Sequence, residues 1–275
     1  MSFFLFVCAG LAAFLRASPS EGVRKPVTGV LGAMTAEVET LQGQIMDRKE
    51  LKVQGLPFVT GTLRGRSVVL AKSGVGKVNA AMTVTLMLER FSPEQVVFTG
   101  SSGGVNPALK PGDIVIGTKT VQHDHGVFDD AGLHAAETEN AVTGSKNPLY
   151  FPGDELLIRF AEDAARSLKL EKVETDQGPR EPRIAQGVIA TGDVFVASGA
   201  KGKELRKTLQ ADAVEMEGAA VAQVCWEQRV PCLVIRSVSD SADEHASKDF
   251  PRFLRVASRN SAALVSGIVA KIGKQ

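Results

Sequence analysis

Ala213-Val-Glu-Met-Glu-Gly-Ala-Ala220 sets two carboxylates and a thioether where a short apolar stretch gives way to small helix-forming residues. The pattern predicts a strand that ends on its acidic residues and passes through Gly218 into a helix. Further on, the apolar run Leu233-Val-Ile-Arg-Ser-Val-Ser-Asp240 ends on a third carboxylate. An acidic side chain at the mouth of a buried strand loses hydration, so it can keep a proton for a leaving group. Ligands of alternating α/β folds bind where strands end and helices begin.

Working outward from this stretch, apolar runs alternate with helical patterns from Pro26 onward. Strands are expected at 27–33, 95–100, 113–121, 184–190 and 231–238, and a hairpin over 57–63 and 67–71 turned through Arg64-Gly65-Arg66. Helices are expected from about 36, with Val38, Leu41 and Ile45 as apolar positions, and at 77–91, 154–168, 199–209, 218–228 and 251–272. Such alternation implies a largely parallel sheet with helices on both faces. The fold class is therefore α/β, a single three-layer domain around a central, mostly parallel mixed sheet. The polar segments 129–147 and 171–183 read as surface loops. Loops of that length serve as lids or stay disordered, and the sequence leaves both open.

A chain of 275 residues can bury its core as one large domain, assigned to residues 21–275. Lys plus Arg total 32 and Asp plus Glu 31, a net charge of +1 that gives no electrostatic case for nucleic acid. An aromatic content of 5% offers no stacking platform for single strands. Residues 1–20 form an apolar leader that turns polar at Arg16-Ala-Ser-Pro-Ser20, too short to span a bilayer. It reads as a cleaved export signal, a retained anchor or a misplaced start; no Lys or Arg precedes the apolar run. Cys8 falls in this leader, while Cys225 and Cys232 read as small buried apolar residues.

Four segments at strand ends carry residues able to do chemistry. In Gly32-Ala-Met-Thr-Ala-Glu37, Glu37 sits in a helix's first turn, where it serves the macrodipole or a reaction. Thr99-Gly-Ser-Ser-Gly-Gly104 is a plain turn or a place where backbone N–H groups and Ser101 approach a sugar or anion. In Thr191-Gly-Asp-Val-Phe-Val196, Phe195 stacks on a flat ring or packs into the core. The fourth is Glu215-Met216-Glu217 together with Asp240. His123-Asp124-His125 suggests a metal, but alternate strand residues diverge, so no metal site is assigned. Gly74-Val-Gly-Lys77 lacks the spacing of a phosphate loop.

Taken together with Lys72-Ser-Gly-Val-Gly-Lys77, Lys110-Pro-Gly-Asp113 and Ser239-Asp240, these motifs resemble the purine nucleoside phosphorylase/hydrolase superfamily over about residues 27–272. The likeness is greatest to its methylthioadenosine/S-adenosylhomocysteine nucleosidase family. It implies a nucleoside phosphorylase-like fold and hydrolysis of an adenine nucleoside by water, with no cofactor and no metal. It also implies a homodimer, with no nucleic-acid or stable membrane partner, and a cytoplasmic enzyme unless the leader directs export.

By the same resemblance, Glu37 would activate the attacking water and Asp240 would protonate adenine at N7, oriented by Ser239. Glu217 and Met216 would hold the ribose hydroxyls, with Glu215 supporting them. Ser101 and Gly103 would lie by the water and sugar, and Met34 on the sugar side. Phe195 would stack on adenine while the backbone of Val196 reads its edge. Loops carrying Val75 and Val127 would come from the neighbouring subunit and cover the 5′ substituent.

Three rivals remain at this level. A phosphorylase of the same fold would need arginines where this chain has Phe98 and Met34-Thr-Ala-Glu37. A nucleoside-binding or storage protein would have lost catalytic residues, whereas the three carboxylates are present here. An aminodeoxyfutalosine-type substrate would use the same hydrolysis with another 5′ group.

Overall fold

Along β1 (Val27–Gly32), Val30 enters one apolar core and Leu31 the other, and both are fully buried. A strand covered on both faces reads as a continuous apolar run rather than an alternating one. The computed structural model describes residues 26–272; the leader, residues 1–20, lies outside them.

After β1 come α1 (Thr35–Gln44) and three antiparallel strands, β2 (Met46–Val53), β3 (Leu56–Leu63) and β4 (Arg66–Lys72). Next, α2 (Lys77–Phe91) leads to β5 (Gln95–Gly104) and β6 (Ile114–Gln122). A hairpin of β7 (Gly126–Asp129) and β8 (Gly132–Ala135) and the short β9 (Phe151–Pro152) precede α3 (Glu155–Ala165). A second hairpin, β10 (Val173–Thr175) and β11 (Gly178–Arg180), leads to β12 (Ile184–Thr191) and α4 (Gly199–Leu209). The chain closes with β13 (Ala213–Glu215), α5 (Gly218–Glu227), β14 (Cys232–Asp240) and α6 (Ala246–Lys271).

The main sheet runs β13-β12-β6-β14-β5-β1-β4-β3-β2, with β9 beside β6. β4, β1, β5 and β14 are mutually parallel, so their carboxyl ends share one edge. At that edge Gly103 and Gly104 of β5 also pair antiparallel with Val214 and Ala213 of β13, closing β5, β14, β6, β12 and β13 into a ring. One face packs against α1, α3 and α6 through Val38, Leu41, Leu157, Leu264 and Ile268. The other packs against α2 and α5 through Val84, Met87, Val221 and Cys225. Cys225 and Cys232 are free, buried thiols, as the sequence indicates. Among the described residues no helix is long and apolar enough to cross a membrane.

The expected three-layer α/β arrangement is the one observed, with four local differences. β2 was not anticipated: Asp47, Arg48, Lys49, Glu50 and Lys52 leave it exposed, and charge of this kind protects a sheet edge from further pairing. β5 continues through the glycine-rich segment instead of turning at residue 100, because Gly103 pairs with Asp240 on β14. A Cβ on Gly103 would lie 2.9 Å from Asp240 Oδ1, so glycine permits that approach. α6 begins at Ala246, ahead of Pro251, which lies inside the helix as its sixth residue and has no N–H to give to the carbonyl four residues back. Segments 129–147 and 171–183 contain most of two ordered hairpins and an isolated Glu139–Lys146 bridge.

Asp154 caps α3 by accepting the N–H groups of Leu156 at 3.0 Å and Leu157 at 2.9 Å. Asp154→Ala should therefore lower the unfolding free energy in urea by about 1 kcal/mol, with kcat unchanged.

Candidate active site

A cavity of about 410 Å³ opens at the carboxyl ends of β1, β5, β13 and β14. Glu37, Ser101, Gly103, Met216, Glu217 and Asp240 line it, with Phe195 and Phe250 forming an aromatic wall. Those two rings meet edge to face, 5.9 Å between centroids. A larger groove of about 670 Å³ beside α5 lacks Glu37, Glu217 and Asp240.

Glu37 is buried in the first turn of α1 and accepts four hydrogen bonds. Ala33 N–H at 2.7 Å and Met34 N–H at 2.9 Å reach Oε2; the N–H and hydroxyl of Ser101, both at 2.9 Å, reach Oε1. These bonds fix the carboxylate between β1 and β5. A side chain at Gly100 would crowd it, as a Cβ there would lie 3.1 Å from Oε1.

Asp240 closes β14 and is 1% exposed. Its Oδ1 accepts the Ala242 N–H at 2.9 Å, and the Ser239 hydroxyl lies 2.8 Å from Oδ2. Burial pushes its carboxyl above the ordinary value; the bonds from Ala242 and Ser239 oppose this, and Asp243 and Asp249 add to the rise.

Glu217 stands between β13 and α5, its Oε1 accepting the Gly76 N–H at 2.9 Å. Its pKa is pushed up to about 8, first by burial and then by the Glu215 carboxylate, against the Arg236 guanidinium and the Gly76 bond. Glu215 has a different task from contact with a ligand. Its carboxylate accepts from the Thr191 hydroxyl, the N–H groups of Glu217 at 3.1 Å and Gly218 at 2.8 Å, and Arg236 Nε at 2.9 Å. Glu215 therefore positions the turn that presents Met216 and Glu217.

The model of the phosphorylase superfamily matches residues 27–270. This chain belongs to that superfamily. It is 42% identical over 246 residues to a 5′-methylthioadenosine/S-adenosylhomocysteine nucleosidase of Anoxybacillus flavithermus, covering 89% of this chain and 98% of the relative. The nucleosidase of that name from Neisseria meningitidis, solved with methylthio-immucillin-A, superposes with a TM-score of 0.78 at 38% identity, covering 90% of this chain and 99% of the other. Futalosine hydrolase of Helicobacter pylori gives 0.76 at 32% identity, covering 90% and 98%.

Of the residues that family likeness singles out, Met34, Ser101, Gly103, Phe195, Glu215, Met216, Glu217, Ser239 and Asp240 join Glu37 around the cavity. Val196 does not line it, and its side chain packs in the core near Leu205 and Leu209. Val75, expected from the resemblance to cover a neighbour's site, lines the cavity of its own chain. The turn that carries it is tied back to β1 by Ser73 N–H to Gly32 O at 2.9 Å and Gly74 N–H to Ala33 O at 3.0 Å. Val127 lies on the β7–β8 hairpin, 62% exposed and outside the cavity. His123 is buried, with burial lowering its pKa, and His125 is exposed. No cluster able to hold a metal is found among the described residues.

Arg236 and Phe250 are among the residues at the site that the sequence did not single out. Arg236 is wholly buried under the site, its guanidinium 4.2 Å from the Phe98 ring centroid and paired with Glu215. Its signal was visible: a charged residue inside an otherwise apolar strand. Phe250 had none, since one aromatic early in a helix looks like any core residue.

The raised pKa of Glu217 has a consequence for stability. The folded protein keeps on Glu217 a proton that the unfolded chain releases near 4.5, so stability from this group falls as pH rises from 4.5 to about 8. Glu217→Gln should gain on the parent in urea unfolding as pH is raised from 5 to 8 (about the span of that window). A stability difference independent of pH would contradict the assignment.

Proposed function

We propose that this chain hydrolyses the N-glycosidic bond of 5′-methylthioadenosine and S-adenosylhomocysteine, releasing adenine. The observation that carries the proposal is the convergence of Asp240, Glu217 and Glu37 on one cavity, with the Asp240 carboxyl held above its ordinary pKa by burial. The printed names of the similar nucleosidases support the substrate class.

Adenine leaves poorly as an anion. Asp240 gives its proton to N7, the C1′–N9 bonding pair passes to the base, and the sugar develops oxocarbenium character. Because Oδ1 is occupied by the Ala242 N–H, the proton belongs on Oδ2, beside the Ser239 hydroxyl. Glu37 takes a proton from a water whose oxygen bonds to C1′, and Ser101 steadies that carboxylate. Return of this proton from Glu37 to Asp240 through solvent resets the pair. Glu217 and Met216 hold the ribose hydroxyls, Met34 and Gly103 border the sugar, and Phe195 covers the base. Nearby carboxylates favour the cationic sugar. In a homodimer, the exposed Val127 hairpin would cover the neighbour's 5′ end.

Water is preferred to phosphate because no Lys or Arg is among the described residues lining the cavity. Arg236 lies beneath it, already paired with Glu215. The likeness to futalosine hydrolase supports a second reading confined to the 5′ substituent, an aminodeoxyfutalosine-type nucleoside.

A substrate panel in phosphate-free buffer, read by free adenine, tests the proposal. Release without phosphate is expected; strict phosphate dependence would replace hydrolysis by phosphorolysis. Asp240→Asn should lower kcat by about 10²–10⁴-fold while nucleoside binding persists in calorimetry. In the parent, kcat/KM should fall as pH rises past the raised pKa of Asp240, and that alkaline limb should be absent from the variant. Full turnover by Asp240→Asn would remove Asp240 as the acid.

A further inference from the structure

Gly76 precedes α2 with a left-handed backbone, φ +95°, and has no side chain with which to cap the helix. Two carboxylates from distant segments do so instead. Glu217 Oε1 accepts the Gly76 N–H at 2.9 Å, and Asp193 Oδ1 accepts the Lys77 N–H at 2.7 Å. The backbone N–H groups at a helix start lack intrahelical acceptors, and these two side chains supply them.

Asp193 is itself held in place. Its N–H donates to Asp124 Oδ2 at 2.7 Å, and Asp124 Oδ1 receives the Lys77 ammonium at 2.6 Å. Lys77 also donates to Gln122 Oε1 at 3.0 Å. Lys77, Asp193 and Asp124 thus form a closed ring of hydrogen bonds. The ring joins the turn before α2, the end of β6 and the turn after β12. Each flank delivers a cavity residue: Val75 next to Gly76, and Phe195 two residues past Asp193. The ring members themselves do not line the cavity.

We propose that Lys77, Asp124 and Asp193 are positioning residues that fix the ribose-holding carboxylate: they keep the Gly76 N–H on Glu217. The inference rests on the nucleosidase reading for what Glu217 does, and on geometry for how it is held. The Lys77 and Asp124 side chains are 19% and 23% exposed, so their attraction is less screened than that of a surface pair. Burial raises the Asp124 pKa, but Lys77 and the Asp193 N–H outweigh it and hold the carboxyl below its ordinary value. Without the Lys77 charge, Asp124 would face Asp193 uncompensated. The ring would then open at the residue adjoining Gly76.

A double-mutant cycle separates positioning from general support. Lys77→Met should raise KM for 5′-methylthioadenosine about tenfold with a smaller change in kcat, and Lys77→Arg should restore most of the loss. In a Glu217→Gln background, Lys77→Met should add about twofold or less, because the group it positions is gone. The same factor in both backgrounds would overturn the inference. A second measurement needs no turnover: the carbon-13 carboxyl titration of Glu217 should move to higher pH in Lys77→Met, which loses the Gly76 bond. It should stay near the parent's in Lys77→Arg, and Asp124→Asn should repeat the Lys77→Met shift should that variant fail to fold. An unmoved midpoint in the charge-removing variants also overturns the ring's role, whereas a parent that releases no adenine but shows the shift overturns only the nucleosidase reading.

Discussion

Arg236 and Glu215 form an ion pair whose side chains are 1% and 2% exposed, at the point where the ring of strands closes. Removing both charges from water costs several kcal/mol per ion, by rough estimate, unless every polar atom finds a partner. Here each does. Glu215 is met by Thr191 from β12, by backbone N–H groups of the turn into α5 and by Arg236 from β14. Arg236 gives its remaining Nη1 donor to the Ile235 carbonyl at 3.0 Å and lies on Phe98 of β5. Four strands are thereby locked in one arrangement. The turn carrying Met216 and Glu217 has its direction set by the same contacts.

On that frame, acidic groups around one cavity sit in different surroundings. Asp240 has few polar neighbours to offset its burial, which favours the protonated form. Glu217 is raised as well, yet the Arg236 guanidinium and the Gly76 N–H act against burial there. Glu37 is ringed by hydrogen-bond donors from β1 and β5. Unequal environments for acidic groups in one pocket are what a reaction with a separate acid and base requires. The apolar wall of Phe195 and Phe250 suits a flat base more than a phosphate.

The central strands were legible because burial on both faces produces unbroken apolar runs, as at residues 96–98 and 232–235. The acids at strand mouths were legible because several carboxylates in that position together are more than a solvated face or a helix start needs. β2 was not, because an edge strand is selected for charge rather than alternation. The continuation of β5 through its glycines was hidden for a related reason: the pairing partners, Asp240 and Val214, are distant in sequence. Arg236 stood in plain view, but its partner Glu215 could be assigned only once β13 and β14 were placed in space. The place of Val75 at the cavity depended on a turn whose backbone bonds to β1 leave no trace in residue type.

The protonation state of Asp240 in the folded protein is the most direct test of this account. Its carboxyl carbon can be followed by carbon-13 NMR, identified by its loss in Asp240→Asn. A titration midpoint above the ordinary 3.8 is the expected result. A midpoint at or below 3.8 would contradict the assignment of Asp240 as the proton donor to the departing base.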